Sequence, residues 1–342
     1  MTLSLEQLSA RMRQGENIPL SDTARIALAL SIPSILEQLV VTAMEYIDAA
    51  MVGHIGAEAT AAIGIVSSST WLLHGILVGL YTAFSIQIAQ YLGADRQQDA
   101  RGVLRQSMLF NLILGLGAAA FGVGISRFLP GWLGADISLQ ANSSAYFAIW
   151  SAALPFTMAM GMYTAMLRAT GDALTPSLIS LLVCVLDVVF NFFLIFPTRP
   201  VELFGTQIMM PGMGMGVMGA AIGTVSAELV AASITMYILC FRSKELSLRI
   251  DTGRFLPTWG VVKRALHISL PMGLQQTIMC SAYVMTTIII APLGTFAIAA
   301  NSFGVIIESL CYMPGYGIGD AATTLIGQTH GARRMDLCKN FA

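Results

Sequence analysis

The sequence predicts an all-α polytopic membrane protein with eight transmembrane helices: one six-helix lobe, then the first two helices of a parallel-repeat second lobe. Three observations lead there. Hydrophobic residues make up 56% of the 342-residue chain and charged ones only 11%, less than half the roughly 25% that a soluble domain carries. Mean hydropathy is +0.72, and apolar runs long enough to cross a bilayer, about 20 residues each, recur from end to end. Finally, sixteen of the eighteen Lys and Arg residues fall on one side of the membrane once those runs are taken as spans.

Residues 1–25 contain Arg11, Arg13 and Arg25 but no apolar core, so they read as a cytoplasmic lead-in and not as a cleavable signal peptide. The spans follow at 26–52, 61–90, 104–128, 145–167, 175–197, 215–241, 266–291 and 297–327. The second and eighth are long enough to tilt. Arg96, Arg101, Arg105, Arg168, Arg242, Lys244, Arg264 and Arg334 are among the basic residues of the rich side, and Arg127 and Arg199 alone fall on the other. That asymmetry predicts an even number of spans with both chain ends cytoplasmic.

Several function classes drop out. Net charge is −1 and no basic stretch is interleaved with aromatics, so nothing supports nucleic-acid binding. The five cysteines form no Cys-x-x-Cys pair and the four histidines no ligand cluster, which excludes a soluble metalloenzyme and implies no cofactor. Pro211-Gly212-Met213-Gly214-Met215-Gly216 lacks a preceding strand and a nearby lysine, so it is not read as a phosphate loop. Gly317-Ile318-Gly319-Asp320 matches a string of intramembrane aspartyl proteases, but that chemistry needs a second aspartate, and their Tyr-Asp pair is absent here.

Sliding the chain against itself reveals an internal repeat at an offset of 238. Ser31, Pro33, Leu36 and Gln38 lie over Ser269, Pro271, Leu274 and Gln276. The register then holds without a gap to Gln90, Gly93, Ala94 and Arg96 over Gln328, Gly331, Ala332 and Arg334. Six spans separate the copies, so the repeats are parallel. The organisation expected is a lead-in (1–25), an N-terminal lobe (26–241), a charged cytoplasmic linker (242–265) and a partial C-terminal lobe (266–342). The second copy stops after two helices, which reads as a carboxy-terminal truncation of a twelve-helix protein.

An ionisable side chain at mid-membrane costs about 2.5–3.5 kcal/mol on insertion scales, so each one needs a reason. Span one carries Glu37, Glu45 and Asp48. In helical projection Glu37 and Asp48 fall within about 20° of one another, forming an acidic stripe, and Pro33 one turn earlier supplies a hinge. Span five places Asp187 and Asn191 at i, i+4; span six does the same with Thr224 and Glu228. Carboxylate, amide and hydroxyl oxygens suit Na⁺ or a shared proton. The twenty methionines suit an adaptable cavity.

These features together resemble the multidrug and toxic compound extrusion (MATE) transporters. The likeness rests on Ile47-Asp48-x-x-Met51-Val52-Gly53-His54-Ile55-Gly56, Ala61-Ala62-Ile63-Gly64, Leu167-Arg168-Ala169-x-Gly171-Asp172, Asp187-x-x-x-Asn191, Gly219-Ala220-Ala221-x-x-Thr224 and Gly327-Gln328-x-x-Gly331-Ala332. It implies a monomeric inner-membrane antiporter that exports organic cations and drug-like compounds in exchange for H⁺ or Na⁺, its lobes rocking to alternate access. It implies a cation site of Asp48, Asp187, Asn191 and Thr224, with Pro33 bending span one and Glu37, Glu45, Glu228, Gln275 and Gln276 as accessory groups. Two alternatives are a lipid-linked-sugar flippase of the same superfamily and a non-transporting remnant. Against the flippase, no basic residue is expected well inside a span.

Overall fold

The computed structural model describes residues 19–203, 206–290 and 295–342, so most of the expected lead-in lies outside the described residues. Helices follow the apolar runs: α1 (Leu20–Gly53), α2 (Ala57–Gly93), α3 (Gln97–Ile125), the one-turn α4 (Leu129–Trp132), α5 (Ile137–Ala169), α6 (Leu174–Ile195), α7 (Gly216–Tyr237), α8 (Trp259–Ile290), α9 (Thr295–Gly331) and α10 (Met335–Phe341). Of these, α1, α2, α3, α5, α6 and α7 are each long and apolar enough to cross a membrane. Helices α8 and α9, with 32 and 37 residues, match them in length. The chain is an all-α multi-pass membrane protein. Most helices start before the predicted spans; in α1, α2 and α3 first-turn acids, Asp22, Glu58 and Asp99, favour the positive end of the helix dipole.

Helix α6 shows how the bilayer sorts side chains. Leu178, Leu182, Val185 and Val189 lie along one exposed face, whereas Ile179, Val183, Asp187 and Asn191 on the opposite face are buried. Apolar groups turn toward lipid and polar ones toward protein, because lipid offers no hydrogen bond. The largest core cluster lies where α2, α3 and α5 meet and includes Phe84, Leu92, Leu104, Met162 and Met166.

Between α6 and α7 the chain departs from the predicted loop. It forms an antiparallel hairpin of β1 (Pro197–Leu203) and β2 (Thr206–Met213), so Pro211-Gly212-Met213 ends a strand after all. The missing lysine still argues against a phosphate loop. The Arg199 guanidinium sits 3.8 Å from the Phe196 ring centroid, a cation–π contact that ties the hairpin to the end of α6.

The repeat is written into the packing as reciprocal contacts. A Cβ on Gly93 of α2 would collide with the backbone of Gln328 on α9, and one on Gly331 of α9 would collide with the backbone of Gln90 on α2. Adding 238 to the first-copy residue of one contact and subtracting it from the second-copy residue yields the other. The same exchange links Gly79 to Met272 and Gly273 of α8, and Gly317 to Ser34 and Ile35 of α1. The turns after α2 and α9 match as well. Asp95 and Arg333 both take a left-handed backbone, with φ of 57° and 59°, and Arg96 and Arg334 donate their N–H groups to Tyr91 and Thr329 carbonyls at 2.9 Å. An axis of pseudo-two-fold symmetry therefore passes between α2 and α9.

Residues 243–258 are irregular, while 259–265, expected in the linker, already belong to α8. Asp251 docks the irregular segment onto α3. It accepts a hydrogen bond from Arg101 Nε at 3.0 Å and pairs with Arg105. The Arg105 hydrogen bond, chiefly, holds the Asp251 carboxyl below its usual range.

The repeat contacts and the docking of the linker each carry testable outcomes. Valine at Gly93 or at Gly331 should lower the melting temperature in detergent to a similar degree, as overpacking costs about 1–3 kcal/mol. Alanine at Gly117, where a Cβ meets nothing within 4 Å, should be tolerated. Asp251→Asn should speed tryptic cleavage at Arg254 at neutral pH. Because the folded carboxyl titrates low, docking should persist at neutral pH and fail only as pH drops below the ordinary carboxylate value of about 4. Hydrogen exchange across 243–258 reads out that loss.

Candidate functional site

Asp187 and Asn191 lie one turn apart on α6, so their side chains leave the same face. Both are fully buried. The Asn191 amide nitrogen donates to Asp187 Oδ2 at 3.0 Å on its own helix and to Asp48 Oδ1 at 2.9 Å on α1. An amide carries two N–H groups, and each here serves a different carboxylate. Asp187 Oδ1 and Asn191 Oδ1 are buried with no hydrogen-bond partner. Two acids converging on one neutral donor, with orphan oxygens beside them, make a site short of positive charge. A proton or a hard monovalent cation is the species such an oxygen set accepts.

Helix α7 closes the site through an absent side chain. A Cβ on Gly223 would run into Asn191 Oδ1, and one on Gly219 into the Leu194 carbonyl. Small residues four apart let α7 approach α6 backbone to side chain. No sequence signal sets Gly223 apart from the other glycines, yet it is the one that touches Asn191.

The other expected site residues divide. Thr224, next to Gly223, donates its hydroxyl to the Ala220 carbonyl of its own helix at 3.2 Å, so no hydrogen bond joins it to Asp48, Asp187 or Asn191. Glu228, one turn on, accepts a 2.5 Å hydrogen bond from Thr157 of α5. Tyr146, also of α5, lies within electrostatic reach of Asp48, Asp187 and Glu228. Neither Thr157 nor Tyr146 carries a sequence signal that sets it apart from core residues. Glu45 is exposed on α1, one turn from Asp48.

Glu37 is not part of the site, and the acidic stripe is corrected accordingly. Eleven residues at 1.5 Å rise separate Glu37 from Asp48 by about 16 Å along the helix, a distance that a projection down the axis hides. Glu37 instead pairs with Arg168 at 2.7 Å. Arg168 is itself a correction: expected in a loop, it occupies the last turn of α5 with its side chain only 14% exposed. Gln276 lies on α8, its side chain against Gly75 of α2, and Gln275 is exposed. Helix α8 packs on α2 and not on α6, which keeps both glutamines away from Asn191. Pro33 lies within an unbroken α1, and its carbonyl accepts a 2.6 Å hydrogen bond from Ser177 of α6.

Among the described residues, no group of three or more His, Cys, Asp or Glu side chains could hold a metal ion.

Comparison with known proteins agrees with this architecture. The MatE family model matches residues 33–193 and 271–342. The chain is 26% identical over 305 residues to the probable multidrug resistance protein NorM of Thermotoga maritima, covering 89% of this chain and 62% of that protein. It is 24% identical over 316 residues to an FAD transporter of Shewanella oneidensis, covering 92% and 67%. Among solved structures, it superimposes on a MOP superfamily transporter from Pyrococcus furiosus with a TM-score of 0.82 at 22% identity, covering 97% of this chain and 69% of that one. A point mutant of the Vibrio cholerae MATE transporter VcmN gives 0.81 at 22% identity over 94% and 69%. The chain thus spans 62% to 65% of the length of the first three NorM relatives. With the family model covering most of its length, the chain belongs to the MATE family.

Proposed function

We propose that this chain carries the coupling half of a cation-driven antiporter that exports organic cations and other drug-like compounds in exchange for H⁺ or Na⁺. The reading rests on one observation: Asp48 and Asp187, on different helices, share the single Asn191 amide, with orphan oxygens buried beside it. Loading the site with a proton or Na⁺ removes the repulsion between the acids and draws α1 toward α6. Unloading reverses the balance. Pro33 lies on the helix that would move; it has no N–H to offer the Ala29 carbonyl, which leaves α1 easiest to bend there.

The mechanism is alternating access of two lobes, 26–241 and 266 onward, joined by the segment 242–265. The assembly is a monomer in the cytoplasmic membrane, its basic side toward the cytosol, and requires no cofactor beyond the coupling ion. Relatives are named for multidrug resistance and for FAD transport. The acidic site favours cationic cargo, and Arg168, the buried cation that a flippase for anionic head groups would use, is already neutralised by Glu37.

In proteoliposomes, Asp48→Asn should cut ion-driven export of a cationic dye roughly tenfold or more, as expected when a coupling interaction is lost, with insertion and melting temperature preserved. Export undiminished by that substitution would refute the assignment. Imposing a pH gradient and a Na⁺ gradient separately identifies the coupling ion. Asn191→Ala should impair export more than Thr224→Ala, because only Asn191 bridges the two acids.

A further inference from the structure

A second charge cluster lies toward the end of the molecule where α2 and α9 terminate, with Asp320 about three turns before the end of α9. At its centre, Arg168 of α5 donates from Nη1 to Glu37 Oε1 of α1 at 2.7 Å. Its Nη2 stands 3.7 Å from Asp320 Oδ2 of α9, and the same Asp320 oxygen accepts a 3.3 Å hydrogen bond from Gln38 Nε2 of α1. Glu37, Gln38 and Arg168 all belong to the six-helix bundle. Asp320 alone belongs to the α8–α9 pair.

The two halves of the cluster differ in a way that suits repeated breaking and making. Arg168 keeps a short ion pair inside its own bundle, so when α9 departs it does not become a bare buried charge, the costly outcome of splitting an ion pair. Asp320 is held more loosely, at longer distances, and its side chain is 34% exposed, so water can take over when it leaves. The contact is also one-sided. The packing of Gly93 and Gly331 occurs twice about the pseudo-two-fold axis, but the counterpart of Asp320 in the first copy is Thr82, which bears no charge. The repeats are parallel, so both positions lie at the same end, and the charged contact there is made from the α9 side alone. Gln328 of α9, donating to the Ala169 carbonyl at the end of α5 at 2.8 Å, braces α9 at that same end.

We propose that Asp320 is a catch between the two lobes. Bonded to Arg168 and Gln38, it holds the end bearing the Arg96 and Arg334 turns shut, and its release is the step that opens that end during alternating access. The inference rests on the exporter reading, but its test does not depend on transport.

Spin labels at Gln98→Cys, at the start of α3, and Lys339→Cys, on α10, both exposed, report the separation of the lobes at this end by pulsed electron resonance. The measurement uses a background with the five native cysteines replaced, and neither substrate nor ion gradient. Asp320→Asn should raise the population of separated lobes roughly tenfold or more, the loss expected for a hydrogen bond to a charged group. Asp320→Glu should keep the population near that of the parent protein, and Gln38→Ala should shift it in the same direction by less. Glu37→Gln, which cuts a bond within one bundle, should not raise it. An unchanged distance distribution in Asp320→Asn, or equal opening by Glu37→Gln, would overturn the catch. Should Asp320→Asn lose its melting transition, Gln38→Ala decides alone. A catch confirmed by distances while Asp48→Asn exports normally would separate the two proposals.

Discussion

A charge inside a bilayer must find its partner within the protein, because the surrounding hydrocarbon offers none. That constraint accounts for most of the polar architecture here. Arg168 is paired with Glu37 and stands beside Asp320, and Glu228 is held by Thr157. Among the described residues, only Asp187 and Asn191 stand one turn apart on a helix with buried oxygens unmatched on both side chains. That paired deficit, beside Asp48, is the observation on which the proposed cation site rests.

The same constraint explains why glycine is placed as it is. Without a hydrophobic drive between helices in lipid, close packing has to hold them together, and close packing needs small residues. Gly223 lets α7 press against the Asn191 amide, and the Gly93 and Gly331 pair brings α2 and α9 together backbone to backbone. The first contact shapes a site, the second an interface between repeats, and the physics is common to both.

Much of this was legible in the sequence, and the failures have identifiable causes. Hydropathy located the long helices, since burial in lipid acts on composition alone. Register matching found the repeat that the reciprocal contacts embody. The i, i+4 spacing of Asp187 and Asn191 was enough to place them on one face of α6. Glu37 was misgrouped with Asp48 because projecting a helix down its axis discards the rise. Arg168 was read as a loop residue because charge at a helix end ordinarily means solvent, and only the three-dimensional arrangement shows two acids from α1 and α9 awaiting it. The hairpin between α6 and α7 went unseen because its Pro, Gly and Met residues carry little strand propensity. Gly223 could not be told from its neighbouring glycines without knowing what lies opposite.

The reciprocal contacts between α2 and α9 carry one more implication. A surface patch that meets its own equivalent across a two-fold axis is the defining property of an isologous homodimer interface. Here both patches are encoded in one chain, so each can mutate without forcing the same change on its twin. In a dimer of identical subunits, an aspartate at the position of Asp320 would be present twice. Fusion of the repeats allows Asp320 to stand where its twin carries Thr82, and so permits one lobe to hold a charged contact at that end that the other does not have to match.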